Sequence, residues 1–212
     1  MISRKVLVLG ATGGTGQQLV TQALQQGHIV TALVRDPRQL SLPSAHLRVV
    51  AGSVTDYGSA LATAMHGQDV VISALGVGKS FKSGDLIAES VPRIVRAMKA
   101  EGLRRLIFTS AFGVGETRRD VPLVPRLFIR LLLQDVYRDK AAGEAQLIDS
   151  ELDWTLVYPS GLVDGAATGR YRVGERLPLR GFPRIARADV ATFLLAQIDD
   201  TTYVRRRVLI SS

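Results

Sequence analysis

Cysteine does not occur in this chain, tryptophan occurs once, and aromatic residues make up only 6% of it. The missing thiols exclude disulfides, thiolate catalysis and zinc–sulfur centres, and their absence fits a cytoplasmic protein. The three histidines, His28, His46 and His66, are far apart in sequence and suggest no metal cluster. Long apolar runs are missing as well. LFIRLLL, the longest candidate, is interrupted by Arg130 and is too short to cross a bilayer. The opening MISRKVLVLG moves directly into a strand-like run, without the pattern of a secretory leader.

What the chain has in excess is positive charge: 27 Lys and Arg against 19 Asp and Glu, a net +8. Such a balance favours anionic partners such as nucleotides. Its densest stretch, 169–187, carries Arg170, Arg172, Arg176, Arg180, Arg184 and Arg187 against Glu175 alone. That stretch lacks the interleaved aromatics of a nucleic-acid reader, so its arginines are read as scattered and solvated, and no nucleic-acid partner is expected.

Short apolar runs ending in glycine or serine alternate with helical periodicity along the whole length. KVLVLG (5–10), HIVTALVR (28–35), LRVVAG (47–52), DVVISALG (69–76), LRRLIFTSA (103–111), DWTLVYPS (153–160) and RRVLIS (206–211) read as strands. Helical segments are expected after residue 16 and over 56–67, 85–102, about 126–150 and 187–198, with a kink or restart near Ser90 caused by Pro92. The alternation predicts a single α/β domain over residues 1–212, a mostly parallel, doubly wound sheet with helices on both faces. The loops at about 112–125 and 160–186 are expected to form a small substrate lobe.

Between the first strand and first helix stands GATGGTG, with Gly10, Gly13 and Gly16 in the spacing G-x-x-G-x-x-G. In that position Gly10 makes a tight turn, Gly13 admits a pyrophosphate to the backbone, and Gly16 permits close helix–strand packing. The helix start offers free amides and the positive end of its dipole, with Thr12 and Thr15 adding hydroxyl donors. Asp36, twenty residues after Gly16, stands at the distance of a carboxylate that reads an adenosine ribose. Arg35 before it could instead pair with a 2′-phosphate, supported by Arg38. The basic chain and the lack of an acid at Val34 favour Arg35, and so NADP over NAD.

GATGGTG, ALVRDP, ISALG, TSAFGVG, the Asp139–Lys140 pair with Glu144, DWTLVYP and RADVA follow one another in order. Together they resemble the atypical short-chain dehydrogenase/reductases. The likeness is greatest to the NAD(P)-binding family that includes NADPH-dependent flavin and biliverdin-IXβ reductases and NmrA-like proteins. The resemblance implies a Rossmann fold with Gly10, Thr12, Gly13, Gly14, Thr15 and Gly16 around the pyrophosphate and Arg35 at the 2′-phosphate. It implies Ser53 and Val54 at the adenine edge, where relatives usually carry Asp-Val, and Ala74, Leu75 and Gly76 beneath the riboses. Ser110 would stand beside the nicotinamide, Lys140 would reach its ribose, and Tyr158 and Pro159 would lie near the nicotinamide end.

Related dehydrogenases place a proton-donating tyrosine four residues before that lysine. Here Val136 holds the position and Tyr137, three residues before Lys140, still shares its helix face but is turned by about a hundred degrees. Packing is the favoured reading of Tyr137 over catalysis, and the catalytic candidates are Ser110 and Lys140. The expected activity is hydride transfer from NADPH to a planar conjugated acceptor (a flavin, quinone or tetrapyrrole), which can draw its proton from water. Phe112, Tyr158, Leu162 and Phe182 are candidates for the acceptor's apolar walls. The alternative is a non-catalytic NADP(H)-bound sensor or assembly factor of NmrA-like type, docked on a protein partner.

Overall fold

A computed structural model describes every residue except Met1, Ser41, Tyr57, Lys79 and Phe81, and every other side chain except those of Leu123, Val124, Pro125, Phe128 and Ile129. Six parallel strands form the body of the sheet: β1 Lys5–Leu9, β2 Ile29–Val34, β3 Leu47–Ala51, β4 Val70–Ser73, β5 Arg105–Thr109 and β6 Asp153–Pro159. Two short strands follow, β7 Gly161–Val163 and β8 Arg172–Gly174, then β9 Arg184–Ala186 and the last long strand, β10 Arg206–Ser211. The main sheet runs β3-β2-β1-β4-β5-β6-β10-β8, while β7 and β9 make a separate parallel ribbon. Among the described strands of this sheet only β8, at the edge, runs antiparallel, pairing with β10. It falls inside 160–186, a stretch whose sequence pattern predicts irregular loop.

The helices are α1 Gly14–Gln25, α2 Ala60–Met65, α3 Leu86–Ala100, α4 Leu123–Leu132, α5 Gln134–Ile148 and α6 Arg187–Ala196. They cover both faces of the sheet, which is why its central strands are apolar without alternation. On one face Leu7, Leu9, Leu106 and Phe108 meet Ile87, Val91, Ile94 and Met98 of α3 and Leu147 of α5. On the other, Val6, Val8, Ile107 and Val208 meet Leu19, Val20 and Ala23 of α1 and Val190, Ala191 and Leu194 of α6. The strand order reverses between β1 and β4, and the carboxyl ends of those two strands therefore open a crevice, the place where doubly wound sheets bind ligands.

Two expectations change here. The long helix expected over 126–150 is two helices, because Leu133 leaves helical geometry (φ −116°, ψ 10°) between α4 and α5. Pro92 does not break α3, which runs unbroken for 15 residues. Tertiary contacts hold it. The buried Asp139 carboxylate of α5 accepts from the amides of Ile87 (3.0 Å) and Ala88 (2.8 Å), supplying partners to the first turn of α3. Gly143 then lets the helices close, since a Cβ there would stand 2.6 Å from Ile87 Cγ2.

Asp139 is thus a helix-start ligand for α3, and its removal leaves the buried Ile87 amide and the half-buried Ala88 amide without that partner. Asp139→Ala should lower the unfolding free energy by about 2 kcal/mol in urea titration. An unchanged midpoint would contradict that role.

Candidate functional site

The glycine loop starts where β1 ends. Gly10 adopts φ +80°, and a Cβ on it would lie 2.6 Å from the Ala74 carbonyl oxygen beyond β4. The Gly13 amide donates back to the Gly10 carbonyl oxygen at 3.1 Å, closing the turn. A Cβ on Gly16 would overlap that same carbonyl, so the first turn of α1 can press on the loop only with glycine there. Gly13 and Gly14 are exposed, Thr12 is half-buried and Thr15 is buried. No side chain caps this helix start and no acid occupies its first turn, so its amides and dipole are left for an anion. That cradle fits a dinucleotide's pyrophosphate.

Beyond β2 the two candidate readers of the adenosine ribose are treated differently by the fold. The Asp36 carboxylate caps the 3₁₀ turn Pro37–Gln39, accepting from the Arg38 amide and from Arg38 Nε (2.9 Å) and Nη2 (3.0 Å). The Arg38 guanidinium holds Asp36 below the usual carboxylate range. Arg38 is therefore engaged with Asp36 in place of the supporting role expected for it. Arg35 is exposed, and among the described residues it makes no ion pair. After β3, Ser53 Oγ accepts from the Thr55 amide and lies 2.9 Å from Thr55 Oγ1, while Val54 is buried in the core. Ala74 and Leu75 are half-buried and Gly76 is exposed.

At the other end of the crevice lies a cavity of about 580 Å³. Ser110, Ala111 and Phe112 line it from the loop after β5, Tyr137 and Lys140 from α5, Pro159 to Leu162 from the end of β6, and Phe182 to Arg184 from the lobe. It thus brings together Ser110, Lys140 and Pro159 with three of the four expected wall residues, Phe112, Leu162 and Phe182. Leu162 and Phe182 face solvent at 38% and 63% exposure. Tyr158 is the exception. Side chains alternate along β6, and Tyr158 shares the inward face of Trp154 and Leu156. It is fully buried and its phenol donates to Glu144 Oε2 at 2.9 Å, so its side chain is no pocket wall. Burial and the neighbouring Glu144 both raise its pKa.

Glu144 is a site residue whose surroundings its sequence neighbours do not reveal. It stands four residues after Lys140 on α5 and lies in the core at 3% exposure. Its carboxylate accepts the Ser110 hydroxyl at one oxygen and the Tyr158 hydroxyl at the other. Burial raises its pKa, against those two bonds and the Lys140 and Arg207 charges. Lys140 is equally unlike a solvated lysine. It is buried, its pKa is lowered by burial, and among the described residues its ammonium makes no hydrogen bond or ion pair. A buried cation on a cavity wall without such a partner leaves its charge unsatisfied by the described residues.

Tyr137 has a different role from a proton donor. Its phenol donates to the Phe112 carbonyl oxygen at 3.0 Å, and burial pushes its pKa up to about 12. A donor tuned for catalysis would be shifted the other way. Tyr137 fixes the loop that carries Phe112.

The sequence pattern of a family described as NAD(P)H-binding matches residues 10–201. A photosystem II assembly factor, Ycf39 of Synechocystis, is 26% identical over 95% of this chain, which spans 60% of that protein's length. The reductase pytE of Aspergillus terreus is 25% identical over 91% of this chain and 90% of its own. Among solved structures, the anaerobilin reductase ChuY of Escherichia coli O157:H7 superposes with a TM-score of 0.81 at 23% identity, over 97% of this chain and 96% of its own. A cradle of glycines at the sheet's switch point, an uncapped helix start and a match over nearly the whole length agree. The chain belongs to the NAD(P)H-binding family.

Proposed function

We infer that this chain is an NADPH-dependent oxidoreductase whose second substrate is a planar conjugated acceptor: a flavin, a quinone or a tetrapyrrole. The observation that carries this reading is the cavity beside Ser110 and Lys140, walled by Phe112, Leu162 and Phe182 and open to solvent. A bound nicotinamide would supply the hydride chemistry. The chain's own part is positioning. Lys140 would take the hydroxyls of the nicotinamide ribose, and the apolar walls would hold a flat ring against it. With Glu144 ionised, the Ser110 proton is turned inward, so Ser110 Oγ presents lone pairs to the cavity. The two described phenols near Ser110, those of Tyr137 and Tyr158, are shifted up in pKa and not down, which suits acceptors that can take their proton from water. The reductases pytE and ChuY lend support as similar proteins.

For the adenosine end we take Arg35 as the 2′-phosphate ligand, because Asp36 is bound to Arg38 and Arg35 is not. Ser53 and Val54 would border the adenine through their backbone, and Ala74, Leu75 and Gly76 would underlie the riboses.

A second reading has its own observation. Leu127, Leu131 and Leu132 of α4 are exposed, and a partner protein could cover them. Together with the misplaced tyrosine and the likeness to Ycf39, this supports a nucleotide-bound assembly factor. Stopped-flow absorbance with NADPH and a panel of flavins, quinones and biliverdin separates the two. The reductase reading expects NADPH oxidation with at least one acceptor; tight NADPH binding with none oxidised would favour the assembly factor.

Arg35→Ala should weaken NADPH by roughly tenfold or more in calorimetric titration while leaving NADH nearly unchanged, as loss of a charge-assisted bond requires. Equal losses would return the ribose to Asp36. Because burial lowers the Lys140 pKa, its ammonium is lost at a lower pH than an ordinary lysine's. Cofactor affinity should therefore fall as pH rises, before the ordinary lysine value is reached. Lys140→Met should abolish that alkaline limb, and an alkaline limb that survives the substitution would exclude Lys140 as its source.

A further inference from the structure

The first turn of α6 carries two charged side chains, Arg187 and Asp189. Asp189 is fully buried and accepts from the amides of Thr168 (2.8 Å) and Gly169 (2.9 Å) and from the Thr168 hydroxyl (2.8 Å), which ties the lobe to α6. Arg187, two residues earlier, turns the other way. Its side chain crosses the phosphate loop so closely that a Cβ on Gly14 would stand 2.7 Å from its Cδ and 2.8 Å from its Nε. Its Nη1 meets Asp164 Oδ1 at 2.7 Å, and Arg187 also forms part of the cavity wall.

The pair has a definite structural origin. β7 and β9 are in parallel register, Gly161 beside Arg184, Leu162 beside Ile185 and Val163 beside Ala186. Asp164 and Arg187 are the next residues on each strand, so their ion pair continues the ladder one step past its end. Its two sides are unequal. Asp164 is 93% exposed, and a carboxylate in water holds a guanidinium weakly. Arg187 is 28% exposed and lies over the uncapped start of α1, where a phosphate is favoured by amides, dipole and guanidinium together.

We propose that Arg187 is a pyrophosphate ligand held by Asp164 until the dinucleotide arrives, and that binding transfers its guanidinium from that carboxylate to the phosphates. The transfer opens the end of the β7–β9 ribbon, which joins the cavity's outer wall to the phosphate loop, and so couples the lobe to cofactor occupancy. Gly14 is glycine on this account because Arg187 must pass over it. The proposal rests on dinucleotide binding alone and holds whether or not hydride is transferred.

The test is calorimetric titration of NADP⁺ into the wild-type chain, Arg187→Ala and Asp164→Asn, with adenosine 2′-monophosphate as a second ligand. Arg187→Ala should raise the NADP⁺ dissociation constant about tenfold, and Asp164→Asn should lower it about twofold by removing the competitor. Adenosine 2′-monophosphate carries no pyrophosphate and should bind all three alike. Unchanged NADP⁺ affinity in Arg187→Ala overturns the proposal, as does weaker binding in Asp164→Asn, which would make the pair a structural staple. A parallel loss of adenosine 2′-monophosphate in Arg187→Ala also overturns it, because that ligand does not reach Arg187. A wild-type chain that bound no NADP⁺ would contradict dinucleotide binding itself.

Discussion

Backbone meets backbone where β1 gives way to α1, and the site's geometry follows from that contact. Gly10 turns against the Ala74 carbonyl beyond β4, and Gly16 seats the helix on the Gly10 carbonyl. Neither approach leaves room for a methyl group. Together they bring the start of α1 over the reversal in strand order, so that an uncapped helix end, the β4 loop and the β5 loop share one crevice. The anion-binding end and the apolar cavity are thereby set at a fixed spacing by the sheet itself, and side chains only refine what each end accepts.

That refinement is electrostatic, and it places charges where burial makes them expensive. Glu144 and Lys140 occupy successive turns of α5, both nearly inaccessible to solvent. Each shifts in the direction that neutralises it, the acid up and the base down, and each is opposed by the other's charge. Glu144 is supported by the hydroxyls of Ser110 and Tyr158, while among the described residues Lys140 makes no such bond. The asymmetry gives the cavity a cation that a ribose can satisfy, and it spends the Tyr158 phenol on fixing the carboxylate behind Ser110. Tyr137 likewise goes to the Phe112 carbonyl. Tyr137 and Tyr158 thus both serve the site's framework.

Local rules carried the framework of the fold. Strands buried on both faces read as plain apolar runs, and the glycine loop declares itself by its place between a strand and a helix. Legibility ended where a side chain's surroundings come from distant parts of the chain. The i,i+4 spacing of Lys140 and Glu144 suggests an exposed pair, and only the packing of α5 on α3 and β6 removes it from water. Register decides that Tyr158 faces the core, and three residues are too few for β8 to reveal its antiparallel pairing. Arg187 looked like one solvated arginine among six, since Gly14 and Asp164 adjoin it only in space. Helix periodicity continued through Leu133, which hid the break between α4 and α5.

The central claim is that the nicotinamide end of NADPH enters the cavity beside Ser110 and Lys140 while its 2′-phosphate meets Arg35. A crystal structure of the chain grown with NADPH tests this most directly. The account predicts the nicotinamide ring within van der Waals reach of Ser110 and Pro159, its ribose hydroxyls on Lys140 Nζ, and the 2′-phosphate on the Arg35 guanidinium. Nicotinamide density outside that cavity, or a 2′-phosphate directed away from Arg35, would contradict it.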